Sequence, residues 1–166
     1  MALTLEFIKS RVEDLASKIA VPQRLLPSYG QSTYGPTNYI TIGRKGELTY
    51  VASGDRGDDT YIEAVDLNHL LFIVFKNVTE SMSMDLYLKN PQPTVDNRRQ
   101  RFKIQLGLLE KLNKEWKIWE EQDQENLSRR FPFNDYQGKR QSYFRELMGN
   151  GFLYKEALEK AYQKYP

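Results

Sequence analysis

The stretch from Asp66 to Met82 constrains the fold more than any other part of the chain. Asp66 is a natural N-cap, and Leu67, Leu70, Leu71, Val74, Phe75, Val78 and Met82 then recur at i, i+3, i+4, i+7, i+8, i+11 and i+15, the repeat of a helix with one apolar face. Phe72 and Ile73 add apolar surface on another side, so the first half of this helix is expected to be enclosed on most faces and to form the centre of the fold. Pro91 and Pro93 end it, because proline lacks the N–H a helix interior needs and clashes with the preceding turn.

Around that helix the chain divides in three. Ile8, Val12, Leu15 and Ile19 form one helical stripe that Pro22 stops. Residues 27–39, rich in Pro, Gly and small polar side chains, read as a loop. Tyr39-Ile40-Thr41-Ile42 and Glu47-Leu48-Thr49-Tyr50-Val51 flank a glycine-containing turn and predict a hairpin. Thr60 to Val65 adds a third strand after the turn Ser53–Asp59. Beyond Asp96, Phe102, Leu106, Leu109, Leu112, Trp116 and Trp119 continue a helical stripe that Asn113 bends or divides. The tract Glu120 to Glu125 reads as its solvated continuation. The tail, broken at Gly149-Asn150-Gly151, predicts a helical hairpin. The expected fold is α+β: an N-terminal helix, a small three-stranded antiparallel sheet and a mostly helical C-terminal half. Residues 1–166 are expected to form a single domain: helix plus β-meander over 1–65, central helices over 66–136, and the hairpin over 137–166.

Composition removes several chemistries. The 166 residues contain no Cys, so disulfides, thiolate metal sites and cysteine nucleophiles are out. The N-terminus has no export or myristoylation pattern and the longest apolar run, Leu70 to Phe75, is too short for a membrane span, so a cytoplasmic protein away from membranes is expected. The charge is +2 overall: 9 basic against 11 acidic side chains up to residue 95, and 15 against 11 after it. Neither half is a polycation.

No constellation of catalytic groups stands out. His69, the only histidine, lies three residues after Asp66, which allows a base and its orienter, but Gly30-Gln31-Ser32-Thr33-Tyr34-Gly35 is not a nucleophile elbow, and a structural His69 is favoured. Asp55, Asp58, Asp59 and Glu63 have oxygen ligands for a hard cation without EF-hand spacing, and a solvated turn explains them more simply. Gly43-Arg44-Lys45-Gly46 lacks the phosphate-binding loop pattern. Arg98, Arg99, Arg101 and Lys103 are scattered around a helix axis and read as a solvated helix start, a poor track for nucleic acid. No cofactor, metal or small-molecule substrate is expected. By contrast, Tyr29, Tyr34 and Tyr39, set among Ser, Gly, Thr and Asn, have the composition of a recognition loop, because tyrosine gives large contacts at low entropic cost. The alternative, tyrosines that pin the loop to the core, stands beside it.

The run Asp66-Leu67-Asn68-His69-Leu70-Leu71-Phe72-Ile73-Val74-Phe75, with Val78-Thr79, Ser81-Met82 and Leu86, resembles the immunity protein 63 family of bacterial polymorphic-toxin systems. Arg98-Arg99, Phe102, Gln105-Leu106, Leu108-Leu109, Leu112 and Trp116, then Phe131-Pro132-Phe133-Asn134-Asp135, extend the resemblance over roughly residues 60–136. It implies a small cytoplasmic antidote, not an enzyme, that binds and neutralises a cognate toxin. Carboxylates would steer a basic toxin and aromatic side chains would anchor the contact, which makes Tyr29, Tyr34, Tyr39, Asp55, Asp58 and Asp59 the candidate toxin-facing residues. Glu120, Glu121, Asp123 and Glu125 are the fallback. The rival readings are a nucleic-acid-binding regulator using the basic C-terminal half, and a hydrolase using His69, Asp66 and the carboxylates from Asp55 to Glu63.

Overall fold

The structure, a computed structural model, describes residues 3–32, 37–54 and 57–166. It is α+β. Helix α1 (Leu5–Lys18) opens on Thr4, whose hydroxyl accepts the Phe7 N–H, and buries Ile8, Val12, Leu15 and Ala16. A short 3-10 turn, Gln23–Leu25, leads into strand β1 (Ser28–Tyr29). Strands β2 (Tyr39–Ile42), β3 (Leu48–Ala52) and β4 (Thr60–Ala64) follow.

The sheet has the order β1-β2-β3-β4, with β1 parallel to β2 and the other pairs antiparallel. The expected three-stranded antiparallel meander is therefore a mixed four-stranded sheet, because two residues of the expected loop pair along β2: the Ser28 N–H donates to the Asn38 carbonyl and the Gly30 N–H to that of Ile40. The turn between β2 and β3 closes through Gly46 at φ +90°, a left-handed position that glycine accepts without strain.

Helix α2 (Leu67–Lys89) starts as the sequence requires, with the Asp66 carboxylate accepting the His69 N–H at 2.8 Å. Every residue from Leu70 to Phe75 is buried. Such burial needs partners on opposite sides. One is the inner face of the sheet, with Ile40, Leu48 and Tyr50, and the other is the pair α3 (Asn97–Leu112) and α4 (Lys114–Arg130). Asn113 alone separates α3 from α4: it is the C-cap of the first and the N-cap of the second, its side chain accepting the Glu115 N–H. The stripe is thus two helices, and they run antiparallel, since Gln105 meets Gln124 and Glu110 meets Lys117. Trp116 stacks on Phe75 at 5.9 Å between ring centres and donates its indole N–H to Asn68, while Trp119 meets Phe72 edge-on.

Two expectations about charge fail here. Glu120 and Gln124, read as solvated, are buried at 5% and 6% exposure, because α4 lays that turn against Lys76 of α2 and Gln105 of α3. Nor is the basic start of α3 a free, solvated end. Arg98 holds the Asp96 carboxylate with two nitrogens and donates to the carbonyls of Phe131 and Pro132; Arg99 grips Asp135 with two 2.8 Å bonds. Asp96 in turn accepts the Asn134 N–H, and Asp135 accepts that of Asp96. Both guanidiniums lie over Phe133. This clamp fastens the segment that enters α5 (Tyr136–Gly149), which forms the expected hairpin with α6 (Tyr154–Lys164).

Candidate partner-binding surface

Strand alternation gives the sheet two faces. Ile40, Ile42, Leu48, Tyr50, Ile62 and Ala64 belong to the core side. The residues between them, Tyr39, Thr41, Thr49, Val51, Tyr61 and Glu63, point the other way, away from α2. In the register Tyr39 is opposite Val51, and Val51 opposite Tyr61, so one line across the outer face reads tyrosine, valine, tyrosine. Val51 is fully buried outside the core cluster, whereas Tyr61 is 65% exposed and Tyr39 is half-buried.

The Tyr39 hydroxyl is held above its ordinary pKa by desolvation first, then by a hydrogen bond with Tyr61 and the charge of Asp59. Those causes place Tyr39, Tyr61 and Asp59 in one neighbourhood, with Asp58 exposed beside Asp59. A phenol pair with adjacent carboxylates offers flat apolar area, two hydroxyls and negative potential together. That arrangement suits a cationic protein surface.

Of the other sequence candidates, the one that is described falls elsewhere. Tyr29 packs against the core, and burial, with Glu13 nearby, pushes its phenol up to about 12; it pins β1 to the body. Tyr34 and Asp55 lie outside the described residues. Tyr61, missed in the sequence reading, was signalled by β4's own alternation, in which Tyr61 and Glu63 fall between Thr60, Ile62 and Ala64.

The groups on which the rival readings depend have visible occupations. Asp66 is spent on the α2 N-cap, and His69 Nδ1 accepts the Val65 N–H at 3.2 Å, so neither side chain orients the other. Arg98 and Arg99 are engaged within the chain and Arg101 is mostly covered beside Glu80, while Lys103 is exposed, so three of the four residues of the best basic cluster have partners of their own. Among the described residues no group of three or more metal-ligating side chains could hold an ion. No helix among them is long and apolar enough to cross a membrane.

The chain matches the family described as Immunity protein 63 over residues 49–126. That segment runs from β3 into α4 and so includes Val51, Asp58, Asp59 and Tyr61. It overlaps the region in which the sequence itself resembles this family, beginning earlier and ending earlier. No curated protein and no solved structure matches the chain.

Proposed function

We propose, for a chain that carries the immunity protein 63 family pattern from β3 to α4, that it binds a cognate bacterial toxin stoichiometrically and neutralises it by covering the toxin's surface. The family match is the observation that carries this reading. The outer face of the sheet supports it: most of that face lies inside the matched segment, it is turned away from the chain's own helices, and it joins aromatic anchors to carboxylates. In this reading Tyr39, Tyr61, Asp58 and Asp59 contact the toxin, and Tyr29 serves by holding β1 in place. The partner's contacting surface is cationic, and the carboxylates accelerate its approach. The protein works in the cytoplasm, where a toxin entering the cell meets it.

The test begins with the neighbouring upstream gene, which should encode a large secreted protein with a variable C-terminal toxin domain. That domain, titrated calorimetrically against this protein, should give a one-to-one complex and lose its activity. Tyr61→Ala should weaken the complex at least ~10-fold, the cost of losing about 1.4 kcal/mol at an aromatic anchor, with an unchanged melting temperature. Full affinity in a Tyr39→Ala/Tyr61→Ala double variant would move the interface off this face. Steep salt-dependent binding to random DNA, with no toxin complex, would favour the nucleic-acid reading.

A further inference from the structure

Away from the sheet, a groove of about 440 Å³ opens between α2, α3 and α4. Lys76, Glu80, Phe102, Gln105, Glu120 and Gln124 line it, with Asp123 and Arg130 also on its walls. Its floor is polar and ordered. The Gln105 amide donates to the Lys76 carbonyl at 3.2 Å, and the Gln124 amide donates to Gln105 at 3.1 Å and reaches Glu120 Oε1 at 3.4 Å.

Glu120 is the unusual member. Its side chain is 94% buried, and Oε2 meets the Lys76 ammonium at 3.3 Å, a donor that it shares with Asp123. A buried carboxylate oxygen whose close donor is divided between two carboxylates is an acceptor left short of donors. Desolvation accordingly holds the Glu120 carboxyl above its ordinary range, against the pull of Lys76.

We infer that this groove receives an arginine side chain of the partner protein, whose guanidinium donates to Glu120 and Asp123 while its plane lies along the Phe102 ring. A guanidinium suits the site better than an ammonium. It carries five donors in a planar fork, tolerates partial desolvation and stacks on aromatic rings. Lys76 is on a flexible stem with one-third of its side chain exposed, and Glu80 lies one helical turn along α2 with only a 3.9 Å contact to Arg101, so the ammonium can turn to Glu80 as the guanidinium enters.

This inference rests on the toxin-binding reading for the identity of the partner, but the groove can be tested without the toxin. The probe is N-acetyl-arginine N-methylamide, followed by NMR through the side-chain amide signals of Gln105 and Gln124. Saturable shifts are expected, weakened at least tenfold in Glu120→Gln and also weakened in Asp123→Asn, whose exposed position leaves folding intact. The matching lysine derivative should bind less tightly, and the matching glutamate derivative should not shift these signals. Absence of saturation, or equal binding by wild type and both variants, overturns the inference. If the groove stays empty while Tyr61→Ala still weakens toxin capture, only the groove assignment falls. If the arginine probe binds as described while the outer-face variants capture toxin normally, the groove stands and the sheet-face assignment falls.

Discussion

The first half of α2 and the α5–α6 hairpin are both helical, but they are held by different forces. From Leu70 to Phe75 α2 buries six side chains in succession, between a sheet and two helices. The hairpin buries only Leu147, Ala157 and Ala161, leaves Leu153, Tyr154 and Tyr162 exposed, and closes through ring contacts such as Phe144 on Tyr154. Its attachment to the body runs through the Asp96–Arg98–Arg99–Asp135 clamp and one backbone approach, where Gly138 lies against the Pro93 carbonyl. Apolar burial does not depend on charge screening or on the protonation of a carboxylate, whereas a polar clamp makes the appendage sensitive to both.

Four substitutions sharpen or break this contrast. Phe75→Ala removes a fully buried ring stacked on Trp116 and should cost about 3–5 kcal/mol in urea unfolding of the whole chain. Asp96→Asn should cost about 2–3 kcal/mol by removing charge-assisted bonds to Arg98, with the loss read as faster hydrogen exchange in residues 136–164. If Asp96→Asn instead loosens α2 as much as α5, body and hairpin are one cooperative unit, as a single domain requires, and the contrast is one of chemistry alone.

The clamp also predicts a pH dependence. Hydrogen bonds from Arg98 hold Asp96 down to about 2 from its ordinary 3.8. A depressed carboxyl contributes its full stabilisation above the unfolded value and loses it as pH falls through the folded value, so the contribution should fade between about pH 4 and pH 2. Hairpin exchange should rise in that window in the wild type and rise less in Asp96→Asn. Gly138→Ala should cost about 1–3 kcal/mol, because the new Cβ would fall 1.7 Å from the Pro93 oxygen, and it should release α5 without melting α2. Leu153→Ser, at a side chain 71% exposed, should change stability by less than ~0.5 kcal/mol.

The same contrast explains what could be read from the sequence. Helix α2 was legible with its cap because periodicity and capping act within a few residues of one another. The terminal hairpin was legible from a Gly-Asn-Gly break between two apolar clusters. Strand β1 was not, since two residues of a Pro- and Gly-rich segment become a strand only when β2 is beside them. Glu120 was misread because a run of Glu, Gln and Asp normally means water; the available clue was Lys76, a charge interrupting an otherwise apolar stretch of α2. Arg98 and Arg99 looked idle because the groups they fasten to the start of α3, the Phe131 and Pro132 carbonyls and Asp135, lie more than thirty residues away. On the outer face, Tyr39 was read both as the end of a loop and as the start of a strand, and its alignment with Val51 and Tyr61 depends on a strand register that the strand pattern alone does not encode.

The solitary Asn113 joint works as a length gauge for half the molecule. With one non-helical residue between α3 and α4, counting outward in both directions brings Glu110 to Lys117, Gln105 to Gln124 and Arg98 to the Phe131 carbonyl. An extra residue inserted at that joint would slip all three pairings at once, misplacing a charge at the surface, an amide in the interior and the anchor of the terminal hairpin. Length variation between related chains should therefore collect in other loops, and this corner should keep its count.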